Sequence, residues 1–425
     1  MKILILSPYT NAELRSHLQM RGYNALERLL IERCGLSKKV ILKDTAPWVG
    51  DMISELEKLD GIEIFSVSPQ IKMAKKVQHF TLNKTHYYFY SSDFSQAARL
   101  VKNYKWWKRI ETCSSRVKKI ADEINPDIII LFGTENLTIS YPILKLTNYP
   151  VFCILQTVYH KPDRAKYGIP NEMIMQLETE IAEKVKFFGS GKYLGGLLKQ
   201  VNPNIVVLAY KWISGRLPKL EIPPKKYDFV NFAFTMDTRK GDEDAVRALA
   251  IVKRKYPNVT LNLSGGMASA RKAYIERLVL ELGLIDNVSF TPMFEKKEDM
   301  YRHILQARFA VLPVKLDLVS TTTREAMYYK LPVVTNITPG TPLLNKEKEC
   351  VLLTEKMDIE GLADNMLKLM EDENLAKTLA ENGYDYMLKQ MDNTSKVVLL
   401  MSSLQAIINN HVKGTSIPEE LLLGI

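Results

Sequence analysis

A chain of 425 residues that is 46% hydrophobic and 25% charged is of ordinary globular composition, which excludes disordered and fibrous classes. Its length calls for two domains of about 200 residues each rather than one core. The net charge of +10 lies in one half: residues 1–220 carry 32 basic and 20 acidic side chains, the remainder 26 and 28. A basic half suits nucleic acid, anionic lipid or a phosphorylated substrate, and charge alone does not choose among them.

Along the chain, short β-rich apolar runs alternate with longer stretches of helical periodicity, the pattern of parallel sheets covered by helices. The expected fold class is α/β. Strands are predicted at 2–7, 62–66, 127–133, 151–156, 185–189 and 205–209 in the first half. In the second half they are predicted at 228–235, 259–264, 288–291, 309–314, 332–336 and 350–354. The opening run Met1 to Ser7 is shorter than a signal-peptide core, and no segment approaches the about 20 apolar residues of a membrane span. Cys34, Cys113, Cys153 and Cys350 are too scattered for a disulfide framework or a zinc site. A cytoplasmic protein is expected.

Within 99–119, Lys102, Lys105, Trp106, Trp107, Lys108 and Arg109 interleave basic and aromatic side chains. Three readings are open: contact with an anionic membrane surface, stacking on a single-stranded nucleic acid, or a plain helix with buried tryptophans. Of the two functional ones, peripheral membrane contact is preferred and nucleic acid is not expected. The proline-rich stretch 215–226 reads as a linker between a first domain, 1–214, and a second, 227–393. In the tail 394–425, Val397, Met401, Leu404 and Ile408 mark one face of a helix, placed to pack back onto the first domain.

The densest chemical feature follows the predicted strand 309–314, in the segment Lys315-Leu316-Asp317-Leu318-Val319-Ser320-Thr321-Thr322-Thr323-Arg324-Glu325-Ala326-Met327. Ligands of open parallel sheets bind where such a loop enters its helix. Ser320, Thr321 and Thr322 mark a helix start whose free N–H groups suit a diphosphate. Glu325 can accept from two neighbouring hydroxyls, as a ribose presents them, and Asp317 from a sugar. The plain alternative is a capping box, with Glu325 returning to the cap and Asp317 a turn residue.

Further pieces stand in order around this one. They are Lys240-Gly241 with a helix ending at Tyr256-Pro257, then Leu261-Asn262-Leu263-Ser264-Gly265-Gly266, then Leu282-Gly283-Leu284 running to Val288-Ser289-Phe290. Asp317, seven residues, Glu325, Ala326-Met327 and Leu331-Pro332-Val333-Val334 complete the set. Over about residues 228–390 the set resembles the retaining family-four glycosyltransferases, glycosyl transferases group 1, of GT-B fold. The resemblance implies two Rossmann-like domains facing across a cleft, with Glu325 on the nucleotide ribose and Asp317 on the donor sugar. Lys240 would meet the diphosphate. The arginine that the family places five residues before that lysine is Thr235 here, and Arg239 or Arg324 would take its part. Gly265 and Gly266 would let the backbone turn close to the ligand.

The first domain departs further from the pattern, since 8–11 lack the family's glycine pair. After the predicted strand 151–156, Gln156 occupies the place where many relatives carry a histidine, and His160 follows four residues later. Glu135, beyond the strand 127–133, is expected to orient the acceptor. The implied reaction moves a sugar from a UDP- or GDP-sugar to a saccharide or lipid-linked saccharide with retention, the leaving phosphate taking the acceptor's proton, without metal or other cofactor. Two alternatives remain open: a nucleotide-sugar epimerase of the same architecture, and a catalytically silent sugar- or nucleotide-binding protein.

Overall fold

The computed structural model describes residues 1–22, 44–92, 106–162, 172–215 and 217–425, the side chains of 106–109 excepted. Lys102 and Lys105 lie outside these residues; Trp106, Trp107, Lys108 and Arg109 open a helix, Trp106–Ile124, with their side chains not described. The described residues divide into two units. One holds those of 1–161, 172–215 and 392–425, the other 217–391.

The first unit is built on an eight-stranded sheet of order β3-β4-β2-β1-β5-β6-β7-β8. Its strands are β1 Lys2–Leu6, β2 Glu63–Gln70, β3 Val77–Leu82, β4 Thr85–Ser91, β5 Ile128–Phe132, β6 Val151–Ile154, β7 Phe187–Ser190 and β8 Val206–Ala209. β5, Ile-Ile-Ile-Leu-Phe, is buried at every position, as a central parallel strand covered on both faces must be. β3 and β4 form an antiparallel hairpin through Asn83, whose φ of 53° supplies the left-handed turn. This hairpin was not among the predicted strands. On β3, exposed His79 and Thr81 alternate with half-buried neighbours, so the apolar run that flags a central strand is missing. The helix Thr394–Lys413 belongs to this unit: Val397, Leu400, Leu404 and Ile407 join a core shared with Ile3, Ile5, Ile128 and Ile130. Asn393 fastens its start, accepting from Ser214 N–H and donating to Ser214 C=O, both at 3.0 Å.

The second unit is a six-stranded parallel sheet of order β11-β10-β9-β12-β13-β14. Its strands are β9 Tyr227–Met236, β10 Leu261–Met267, β11 Val288–Thr291, β12 Ala307–Leu312, β13 Val333–Asn336 and β14 Leu352–Thr354. Alternate residues of β9 feed two cores, Phe229 and Ala233 on one face, Val230 and Phe232 on the other. The segment read as a linker is bound along this unit. Tyr328 and Tyr329 donate to the carbonyls of Leu217 and Pro218 at 3.1 and 3.0 Å, and Lys225 Nζ donates to those of Leu305 and Ala307 at 2.9 Å each. Burial pushes the Lys225 ammonium below its usual pKa. Among the described residues, no helix is long and apolar enough to cross a membrane.

Candidate functional site

In the second unit the sequence-marked residues gather at the carboxyl ends of β9, β10 and β12. β9 ends at exposed Thr235 and buried Met236, and the chain turns through Asp237, whose carboxylate accepts from Arg239 N–H at 2.9 Å. The Arg239 guanidinium folds onto the same carboxylate. Gly241 then takes φ 73°, and a Cβ there would lie 2.3 Å from the carbonyl oxygen of Pro313. Only glycine lets this turn press against the end of β12. That approach brings the Lys240 ammonium onto the carboxylate of Asp317, with which it forms an ion pair. The two residues singled out for diphosphate and sugar are thus paired with each other.

Gly265, opposite on β10, has φ 148°, and a Cβ on it would fall 1.9 Å from the Ala233 carbonyl oxygen. The next residue, Gly266, pairs with Thr235 across β9 and β10. The helix Thr321–Tyr328 begins beyond Asp317 with Ser320 at its cap position, yet the Ser320 side chain makes no cap bond and shares a 2.7 Å contact with the Thr322 hydroxyl. The N–H groups of Thr321, Thr322 and Thr323 find no acceptor among the described residues, and the buried Thr323 hydroxyl likewise has none. Arg324 is exposed and forms no ion pair among them. Glu325 does not turn back to the cap. Its buried carboxylate accepts from the Tyr301 hydroxyl at 2.8 Å, with Lys297 Nζ at 3.5 Å. Burial raises its pKa above the usual carboxylate range, opposed by Lys297 and by the Tyr301 hydrogen bond.

In the first unit, Gln156 follows β6 half-buried and makes no hydrogen bond to a described residue. The Glu135 carboxylate folds back over Gly133, whose φ is 80°; an added Cβ would meet Glu135 Oε2 at 2.3 Å. His160 is held through Nδ1, 2.7 Å from the Glu178 carboxylate.

Residues 217–386 match the family described as Glycosyl transferases group 1. Over those residues the chain is similar to that family. No curated protein matches the sequence. Among solved structures, sucrose-phosphate synthase from Thermosynechococcus elongatus is similar at 15% identity and a TM-score of 0.64, covering 95% of this chain and 98% of its own. The E. coli structure titled trehalose-6-phosphate bound with UDP-2-fluoro glucose is similar at 11% identity and TM-score 0.64, covering 95% and 99%. HepE of Anabaena in complex with UDP-glucose gives 13%, 0.62, 95% and 99%. These likenesses show the fold: the chain is an α/β protein of two Rossmann-like domains, of GT-B type.

The candidate site depends on residues that the sequence did not flag. Lys315, next to the Asp317 loop, forms a buried ion pair at 2.9 Å with Asp244 in the first turn of the helix Asp242–Lys253, and its N–H donates to Arg239 C=O at 2.9 Å. Thr338, beyond β13, donates its hydroxyl to the carbonyl of Leu318. The Lys315 bonds tie the loop carrying Asp317 to the turn carrying Lys240 and to the helix after it, and Thr338 ties the same loop to the segment beyond β13. The only sequence signal for them was proximity to the motif, since each partner lies in a different loop or helix.

Proposed function

We propose that this protein is a glycosyltransferase, moving a sugar from a UDP- or GDP-sugar to a saccharide or lipid-linked saccharide, with retention, in the cytoplasm or at the inner face of a membrane. The observation that carries the reading is the gathering, at the strand ends of one sheet, of an uncapped helix start, a cation, an accessible carboxylate and a buried one. A nucleoside diphosphate answers all four. Its phosphates meet the free N–H groups of Thr321 to Thr323 and the ammonium of Lys240, with Arg239 or Arg324 adding charge. Its ribose hydroxyls meet Glu325.

Binding of the diphosphate draws Lys240 off Asp317, and the freed carboxylate turns to the hydroxyls of the donor sugar. As the sugar-to-phosphate bond breaks, the charge that builds on the leaving oxygen is met by Lys240 and the helix start, and fixed donors of this kind supply most of such a rate. The reading needs no metal or other cofactor. Two structures of the same fold hold UDP-2-fluoro glucose and UDP-glucose, and this favours a nucleotide-sugar donor.

A thermal-shift series with UDP, GDP, ADP and their sugars tests the donor reading, because a ligand at about 100 times its Kd adds about 2.7 kcal/mol to the native state. At least one nucleotide is expected to raise the midpoint; if none does, the donor site is wrong. Conversion of the sugar without any acceptor would point to an epimerase. Binding with no transfer over an acceptor panel would point to a silent binding protein.

A further inference from the structure

On the first unit, a fully buried carboxylate serves no purpose that the donor site explains. Glu178, on the helix Glu172–Lys184, has a side chain of 0% exposure. Its oxygens accept from the Thr134 hydroxyl at 2.8 Å, from Tyr159 N–H at 3.1 Å and from His160 N–H at 3.2 Å, and the fourth partner is His160 Nδ1 at 2.7 Å. Burying a carboxylate is costly unless donors surround it. Here they do, and the outcome is an imidazole of fixed direction.

A carboxylate only accepts, so the proton of the short bond sits on Nδ1, and Nε2 is the nitrogen that carries the lone pair in the neutral form of the ring. The His160 side chain is 27% exposed, and Nε2 has no hydrogen-bond partner among the described residues. Thr134 follows β5, while Tyr159 and His160 follow β6, so the unit stands at the carboxyl ends of two neighbouring strands, where parallel sheets take their ligands. Carboxylate-backed imidazoles serve either as metal ligands or as acceptors of a substrate hydroxyl. Among the described residues, no group of three His, Cys, Asp or Glu side chains is placed to hold a metal ion.

We propose that His160 Nε2 accepts the hydrogen bond of a hydroxyl on the saccharide acceptor, and that Glu178 is the positioning residue that fixes its tautomer. The proposal rests on the glycosyltransfer reading and adds the group that recognises the acceptor. It places this task on His160 rather than on Gln156, which lacks any comparable support.

Two measurements on the full-length protein test it. Nitrogen-15 correlation spectra of histidine-labelled protein are expected to show the Nδ1–H tautomer at His160, with Glu178→Gln shifting the balance; an Nε2–H tautomer in the wild type overturns the proposal. In the second, UDP release is followed from whichever UDP-sugar raises the melting midpoint, with alkyl glycosides or water as acceptor. His160→Phe is expected to lower release about 10-fold, as loss of one hydrogen bond does, while UDP affinity by calorimetry stays within about twofold. His160→Gln, whose amide oxygen stands near the Nε2 position, is expected to recover part of the rate. Unchanged release in His160→Phe, a matching loss of UDP affinity, or no release from a wild type that binds UDP-sugar each overturns it. A wild type that binds no nucleotide at all fails earlier, at the donor reading itself.

Discussion

A buried glutamate that must face a ribose is under two opposing demands, and Glu325 shows both. Burial favours its protonated form, while the Tyr301 hydroxyl and the Lys297 ammonium favour the charged one, and the net shift is upward. The sign follows directly. A carboxyl with a raised folded-state pKa adds stability below its unfolded pKa and loses it as pH rises through the folded value. Where Glu325 carries its charge in the folded protein, that charge is therefore a cost. Glu325→Gln is expected to match or exceed the wild-type melting midpoint without ligand near neutral pH, and to lose the nucleotide-induced shift. A lower midpoint without ligand in melts from about pH 5 to about pH 8 would show that burial is not penalising the charge. Tyr301→Phe removes the best donor at about 1–3 kcal/mol and pushes the carboxyl further up. Nucleotide affinity in that variant is expected to weaken at a higher pH than in the wild type as pH falls, read by calorimetry across the same range. The spacing of Asp317 and Glu325 was legible in the sequence. Tyr301 and Glu178 were not, because a buried polar contact between distant segments leaves no periodicity in either.

At the scale of elements, the Asp317 loop is fixed by a buried charge pair, and that choice has a measurable consequence. Lys315 and Asp244 are each nearly buried and 2.9 Å apart. Burial raises the Asp244 pKa, with Lys315 opposing it. Lys315→Met strands a buried carboxylate and is expected to cost about 3–5 kcal/mol, whereas the double variant Lys315→Met with Asp244→Leu is expected to recover much of that loss. Chemical denaturation of the four proteins of the cycle measures the coupling; equal losses in the single and double variants would show that the pair is not the tie. Elements of this kind differ in how plainly they are written. β5 and β12 are visible because both faces are buried and every position must be apolar or nearly so. The β3–β4 hairpin is hidden because Gln78, His79, Thr81 and His86 interrupt it with polar side chains that its exposed face permits. The start of the helix at Thr321 was legible, but the missing cap bond at Ser320 was not, since serine there looks the same whether or not its hydroxyl turns inward.

For the whole molecule, chain order and folding unit do not coincide, because residues 392–425 belong with the unit that contains the first strand. The helix Thr394–Lys413 places Leu400, Leu404 and Ile407 at no more than 2% exposure in that unit's core. Burial of a side chain of this size is worth about 1.5–3 kcal/mol, so these three together approach the 5–15 kcal/mol that holds a whole domain folded. A chain ended after Met391 is therefore expected to lose the first unit's cooperative unfolding transition and to keep the second's. The second unit retains all of its strands and the residues of the donor site, so UDP or GDP is expected to raise the surviving transition as it does in the intact protein. Differential scanning calorimetry with and without nucleotide decides the matter. Two surviving transitions would show that the terminal helix is dispensable to the first core. Loss of both would show that the second unit does not fold without the first. One surviving transition that nucleotide no longer raises would show that the donor site needs more than residues 217–391.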